Sequence, residues 1–127
     1  MTMPLCSGQI KYLRAISELT EKGETVKCVA IARHLGVSRP SVSKMLHCLA
    51  DFGLVHEDFC SGVRLTKEGW STVEEIFHNY DDIFFFFRKI LKLPHDVAAE
   101  HTMTFIAAYP ADTGERLSVA VQKSKKK

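Results

Sequence analysis

Residues 31–66, IARHLGVSRPSVSKMLHCLADFGLVHEDFCSGVRLT, constrain this chain more than any other stretch. Ile31, Ala32 and Leu35 fall at helical spacing and give one apolar face. Gly36 follows where that helix must stop, because glycine takes the left-handed conformation at no steric cost. Val37 plugs the angle to the next element. Ser38 is a good N-cap, with Pro40 in the first turn, where a missing N–H does no harm. Val42, Met45, Leu46 and Leu49 then recur at helical spacing, so that face packs inward. Gly53 ends this second helix. Leu54 and Val55 open an extended segment, Cys60-Ser61-Gly62 makes a turn, and Val63 and Leu65 alternate with Arg64 as in a half-buried strand.

Helix, glycine turn, capped helix and hairpin, in that order, predict a winged helix-turn-helix, a module that reads DNA. The outward face of the second helix carries Arg39, Ser41, Ser43, Lys44 and His47. Small hydroxyls near a helix N-terminus suit phosphate, and longer cationic side chains reach base edges in a major groove. Lys44 and Arg39 are therefore the expected base readers, with Pro40 against a thymine methyl. Ser38, Ser41 and Ser43 are the expected phosphate contacts, joined by Arg64 on the wing.

The run Gly36-Val37-Ser38-Arg39-Pro40-Ser41-Val42-Ser43-Lys44-Met45-Leu46, then Gly53-Leu54-Val55 and Gly62-Val63-Arg64-Leu65-Thr66-Lys67-Glu68-Gly69, resembles the diphtheria toxin repressor / manganese transport regulator family. Those proteins are bacterial metal-dependent repressors. Upstream, Tyr12-Leu13-Arg14-Ala15-Ile16-Ser17-Glu18-Leu19 resembles the first helix of the family. The resemblance covers residues 12–69 and fades after Pro94.

A length of 127 residues allows one compact domain, or a small one with a helical extension, and 46% apolar residues argue against disorder. No apolar run reaches membrane-spanning length. The start, MTMPLCSGQIKY, lacks a charged region followed by an apolar core, so a cytoplasmic location is expected. Cys6, Cys28, Cys48 and Cys60 form no CxxC pair and read as small packed thiols rather than a zinc site. Net charge is +2, but unevenly spread: residues 1–66 hold eight Lys/Arg against six Asp/Glu, and residues 67–122 hold five against nine. The acidic half is thus the one away from the proposed groove.

The expected fold is mainly α. A winged helix-turn-helix domain with a small β-hairpin wing spans 1–68, a helical dimerisation region spans 69–122, and a disordered basic tail spans 123–127. The helices are predicted over 8–22, 29–35, 39–52, 67–91 and 96–108, with one more short helix within 114–122. Residues 25–27 read as an extended link, with a small strand beside the wing as an option. Phe84, Phe85, Phe86 and Phe87 stand in succession within the long helix. At about 100° per residue they cover most of its circumference, so no single core takes them all. With Phe105 they mark the expected dimer contact. A symmetric dimer would space two recognition helices about one turn of DNA apart.

The resemblance also implies a divalent metal (Mn, Fe or Zn) joining the first helix to the dimerisation helices. Carried over position by position, its ligand sites fall on Lys11, Arg14, Tyr80, Met103, Ile106 and Ala107. Mn and Fe require oxygen donors and imidazole. Lys11 and Arg14 offer positive charge instead, and one thioether does not make a site. No metal ligand and no cofactor are therefore predicted. Either the switch is lost, with Lys11 and Arg14 holding an anion or a carboxylate such as Glu100, or the ligands have moved to His78, Asp82, Glu100, His101 and Cys6.

The expected function is a DNA-binding transcriptional regulator, a repressor by resemblance, with double-stranded DNA and a second copy as partners and no membrane. The alternatives are a metal-responsive repressor with relocated ligands and a winged-helix protein-interaction module. No nucleophile-and-base pair or phosphate-cradling glycine loop points to an enzyme.

Overall fold

A computed structural model of the chain describes residues 5–23, 25–59 and 61–126. Cys60 of the expected wing turn and Lys127 of the basic tail lie outside them. By their contacts, residues 1–74 and 75–127 form two compact units.

In the first unit, α1 (Ser7–Glu21), α2 (Cys28–Leu35) and α3 (Arg39–Asp51) pack around one core. Leu13 and Ile16 of α1, Ile31 of α2, and Val42, Leu46 and Leu49 of α3 have no exposed surface. These are the positions the apolar periodicity selects. Burial raises the Tyr12 phenol above its ordinary pKa. Gly36 caps α2 at φ 69°, and Val37 N–H donates to the Ala32 carbonyl at 3.0 Å. Between α1 and α3, Gln9 does what periodicity cannot announce: Nε2 donates to Cys48 Sγ at 3.3 Å, while Oε1 accepts the Cys6 N–H at 2.9 Å.

Among the described residues the expected β-hairpin wing is not formed as a pair of strands. A lone antiparallel bridge joins Val55 to Leu65, with His56 N–H donating to the Arg64 carbonyl at 3.0 Å. The next inward N–H, that of Gly62, bonds back to the Phe59 carbonyl at 3.2 Å rather than extending the ladder, and on the outer edge Val63 N–H donates to the Val26 carbonyl at 2.7 Å. Residues 25–27 thus run beside the wing without forming a strand. Thr66 then opens α4 (Lys67–Ile76): its Oγ1 accepts the Gly69 N–H at 2.9 Å and donates to the Gly53 carbonyl at 2.6 Å. Gly69 sits so close to the Leu54 carbonyl that a Cβ would come within 2.1 Å of its oxygen.

The single helix expected over 67–91 is divided. α4 stops at Ile76, and α5 (Tyr80–Phe85) follows a turn in which Tyr80 N–H bonds back to Phe77 at 3.1 Å. Asn79, at φ −103° and ψ 15°, is off the helical path and donates through Nδ2 to Glu115 at 3.0 Å. Residues Phe86–Ile90 then continue as a π-helix, closed by Lys92 at φ 61°. In the second unit, α6 (His95–Ala108) and α7 (Ala111–Lys125) both pack on α5. α7 is much longer than expected and takes in Lys123 and Lys125 of the basic tail.

Candidate nucleic-acid interface

The start of α3 is built by local chemistry. Ser38 is extended at φ −77° and ψ 155°, and its Oγ accepts the Ser41 N–H at 3.2 Å while donating to Ser41 Oγ at 2.8 Å. The two hydroxyls expected at phosphate are thus first of all a helix cap. With Val42, Leu46 and Leu49 turned into the core, Arg39, Pro40, Ser43, Lys44 and His47 are left exposed. Arg64 is exposed on the wing. Among the described residues, Arg39, Lys44 and Arg64 form no ion pair. These cations are available to an external anion.

A contact the sequence reading missed joins wing to helix. The Phe59 ring meets His47 edge-on, centroids 5.2 Å apart at 68°. No periodicity marks it, since Phe59 stands in a loop.

Elsewhere, the positions that the resemblance assigns to metal ligands are occupied by other contacts. Lys11 is exposed. Arg14 Nε lies 3.8 Å from Glu18, whose other oxygen is 3.6 Å from His34 Nε2 on α2. The Tyr80 ring stacks on Phe84 at 6.2 Å. Met103, Ile106 and Ala107 are half-buried on α6. Of the relocated candidates, Asp82 accepts hydrogen bonds from Ser118 Oγ and, at 2.8 Å, from Gln122 Nε2, with Lys125 Nζ at 3.8 Å. The His101 ring stands against Phe87 at 5.4 Å. Among the described residues no three His, Cys, Asp or Glu side chains converge as a metal-holding group.

The phenylalanine run is engaged within its own unit. Phe84 meets His95 at 5.3 Å, Phe85 carries Lys125 Nζ at 4.3 Å over its ring, and Phe87 meets Phe86 at 5.4 Å and Phe105 at 6.5 Å. All four rings nonetheless stay half-buried, and Ile90, Leu91 and Val97 beside them are exposed.

Residues 7–63, which hold α1, α2, α3 and the wing, match the family model for the iron dependent repressor N-terminal DNA binding domain. Over these residues the chain is similar to that repressor domain. The transcriptional regulator MntR of Escherichia coli O6:H1 is 41% identical over 64 residues, covering 50% of this chain and 41% of that protein. MntR of Salmonella typhimurium is 39% identical over the same shares. The chain thus spans less than half the length of these curated relatives. Among solved structures, the manganese regulator SloR aligns at TM-score 0.79 and 27% identity, over 95% of this chain and 55% of that one. The hypothetical protein SSo2273 from Sulfolobus solfataricus aligns at TM-score 0.66 and 23% identity, over 94% and 91%, and shares the fold. The matched residues therefore lie within the first unit, and the fold likeness to SloR covers 95% of the chain, the second unit included.

Proposed function

We propose that this chain is a transcription repressor that reads double-stranded DNA as a homodimer and does so without a divalent metal. One observation carries this: α3 presents Arg39, Pro40, Ser43 and Lys44 exposed, with both cations unpaired among the described residues, on the helix that the repressor family model spans. Lys44 and Arg39 read base edges, Pro40 meets a thymine methyl, and Ser38, Ser41, Ser43 and Arg64 contact phosphate. Ser38 and Ser41 do so with hydroxyls that already cap the helix.

The half-buried phenylalanines 84–87, with Phe105, and the exposed Ile90 and Leu91 support a second copy as the partner of the second unit. No described helix is long and apolar enough to cross a membrane. The relatives are named as transcriptional regulators, which supports a cytoplasmic, non-enzymatic role.

The donor set does not fit Mn or Fe. Lys11 and Arg14 stand at two of the carried-over positions, and a cation repels a cation. In the relocated alternative one of its two carboxylates, Asp82, is already bound by Ser118, Gln122 and Lys125, and among the described residues no three of its ligands converge.

Fluorescence anisotropy tests the proposal, using a duplex that the chain selects from a random pool. Salt-sensitive binding in chelator, unchanged by manganese, iron(II) or zinc, is expected. Binding that appears only with metal overturns the metal-free part, and no selection under any condition overturns the DNA reading.

A further inference from the structure

We propose that His47 and Phe59 form a clasp that sets the pose of the wing on α3, so that Arg64 meets the DNA backbone in register with the α3 cations. The clasp rests on the DNA reading above.

Backbone bonds tie the loop between Val55 and Leu65 at its ends, through the Val55–Leu65 bridge and Val63 N–H on the Val26 carbonyl at 2.7 Å. Its base is one bridge wide, and no strand ladder forms there among the described residues. Ser61 Oγ donates to Asp58 Oδ2 at 2.9 Å, a bond internal to the loop. Glu57, Asp58 and Ser61 are exposed, whereas Phe59 is half-buried, with its ring edge-to-face on His47. An aromatic ring in this geometry gains attraction between the positive edge of one ring and the negative face of the other. A half-buried ring in an otherwise exposed polar loop is held by packing, and here the packing is on α3.

Two consequences follow for recognition. His47, one turn after Lys44, is spoken for by Phe59, so base reading is confined to the N-terminal turns of α3. A wing anchored at its loop as well as its base keeps Arg64 at a fixed offset from Arg39 and Lys44. Without the anchor, the loop is held only at its ends, by the Val55–Leu65 bridge and the Val63–Val26 bond, and Arg64 shifts off its phosphate. His47 and Phe59 are positioning residues: they act through Arg64 and contact no DNA themselves.

The test uses the full chain as Phe59→Ala, His47→Ala and His47→Phe, on a duplex selected by the unaltered protein. Each phosphate contact contributes about 0.9 to the slope of log K against log salt. Both alanine variants should flatten that slope by about one unit per protomer and keep the sequence preference. His47→Phe should restore it, since a phenyl ring preserves the edge-to-face pair. Amide exchange supplies a second readout: His56 and Val63 should exchange faster in the alanine variants, while Leu13 in the α1 core stays as slow as before. An unchanged slope, or unchanged exchange at His56 and Val63, overturns the clasp alone. An unaltered protein that selects no duplex overturns the DNA reading, and the clasp's role with it.

Discussion

In the proposed reading of DNA, Lys44 is the residue on which base recognition turns. If it reaches a base edge, Lys44→Ala should weaken binding by about 1–3 kcal/mol and relax preference at one position, as measured by titrating single-base variants of the selected duplex. A uniform loss across all sequences would make Lys44 a phosphate contact. Ser38 has a different part, because its hydroxyl accepts the Ser41 N–H at 3.2 Å. Ser38→Ala should cost about 1 kcal/mol of folding stability in urea titration, before any effect on DNA is counted. Ser38, Arg39, Lys44 and Arg64 were legible in the sequence because capping and outward periodicity are local rules. Gln9 and Phe59 were not, since each acquires its role from a partner far along the chain, Cys48 and His47.

Among the elements, α4 and the segment that leads from α3 into the wing meet in one close approach of backbone to backbone. Gly69 lies in the first turn of α4, and a Cβ there would stand 2.1 Å from the Leu54 oxygen. Gly69→Ala must push the two segments apart, and should lower stability by about 3 kcal/mol in denaturant unfolding. In the second unit, α7 is tied to α5 through Asp82, whose carboxylate is mostly buried and bound by Ser118 and Gln122. Asp82→Ala should cost about 2 kcal/mol and speed amide exchange along α7 ahead of α6. The sequence reading confines this helix to 114–122 and leaves the lysines after it as a disordered tail, whereas cations suit the last turn of a helix. Packing adds to this: Gly114 fits against Ile83 and Phe105, and Lys125 covers the Phe85 ring. The split of the expected 67–91 helix has the same origin, in Asn79 reaching across to Glu115.

At the scale of the whole molecule, the proposed dimer makes two half-sites act as one. Leu91 is 50% exposed, so Leu91→Glu should leave the unit folded. It should shift sedimentation toward the monomer and weaken binding to a two-half-site duplex by about 10²-fold or more, the loss of linkage between sites. Unchanged sedimentation would exclude this face as the contact between copies. The uneven charge does not follow the two units: residues 1–74 hold nine Lys/Arg against eight Asp/Glu and residues 75–127 hold eight against seven, because the lysine tail offsets the acidic stretch before it.

The sequence by itself determined the order and faces of α1 to α3, the Gly36 turn and the Ser38 cap. These depend on period, turn stereochemistry and capping, all local within a few residues. The tertiary structure alone decided how the wing is held, where the long helix breaks and what occupies Asp82. Gly62 bonds back to Phe59 rather than extending a hairpin, Val63 donates to Val26, Phe59 finds His47, and α7 closes on α5. Such contacts join residues distant in the chain, where each group takes the partner that packing brings within reach, and no local pattern encodes that choice.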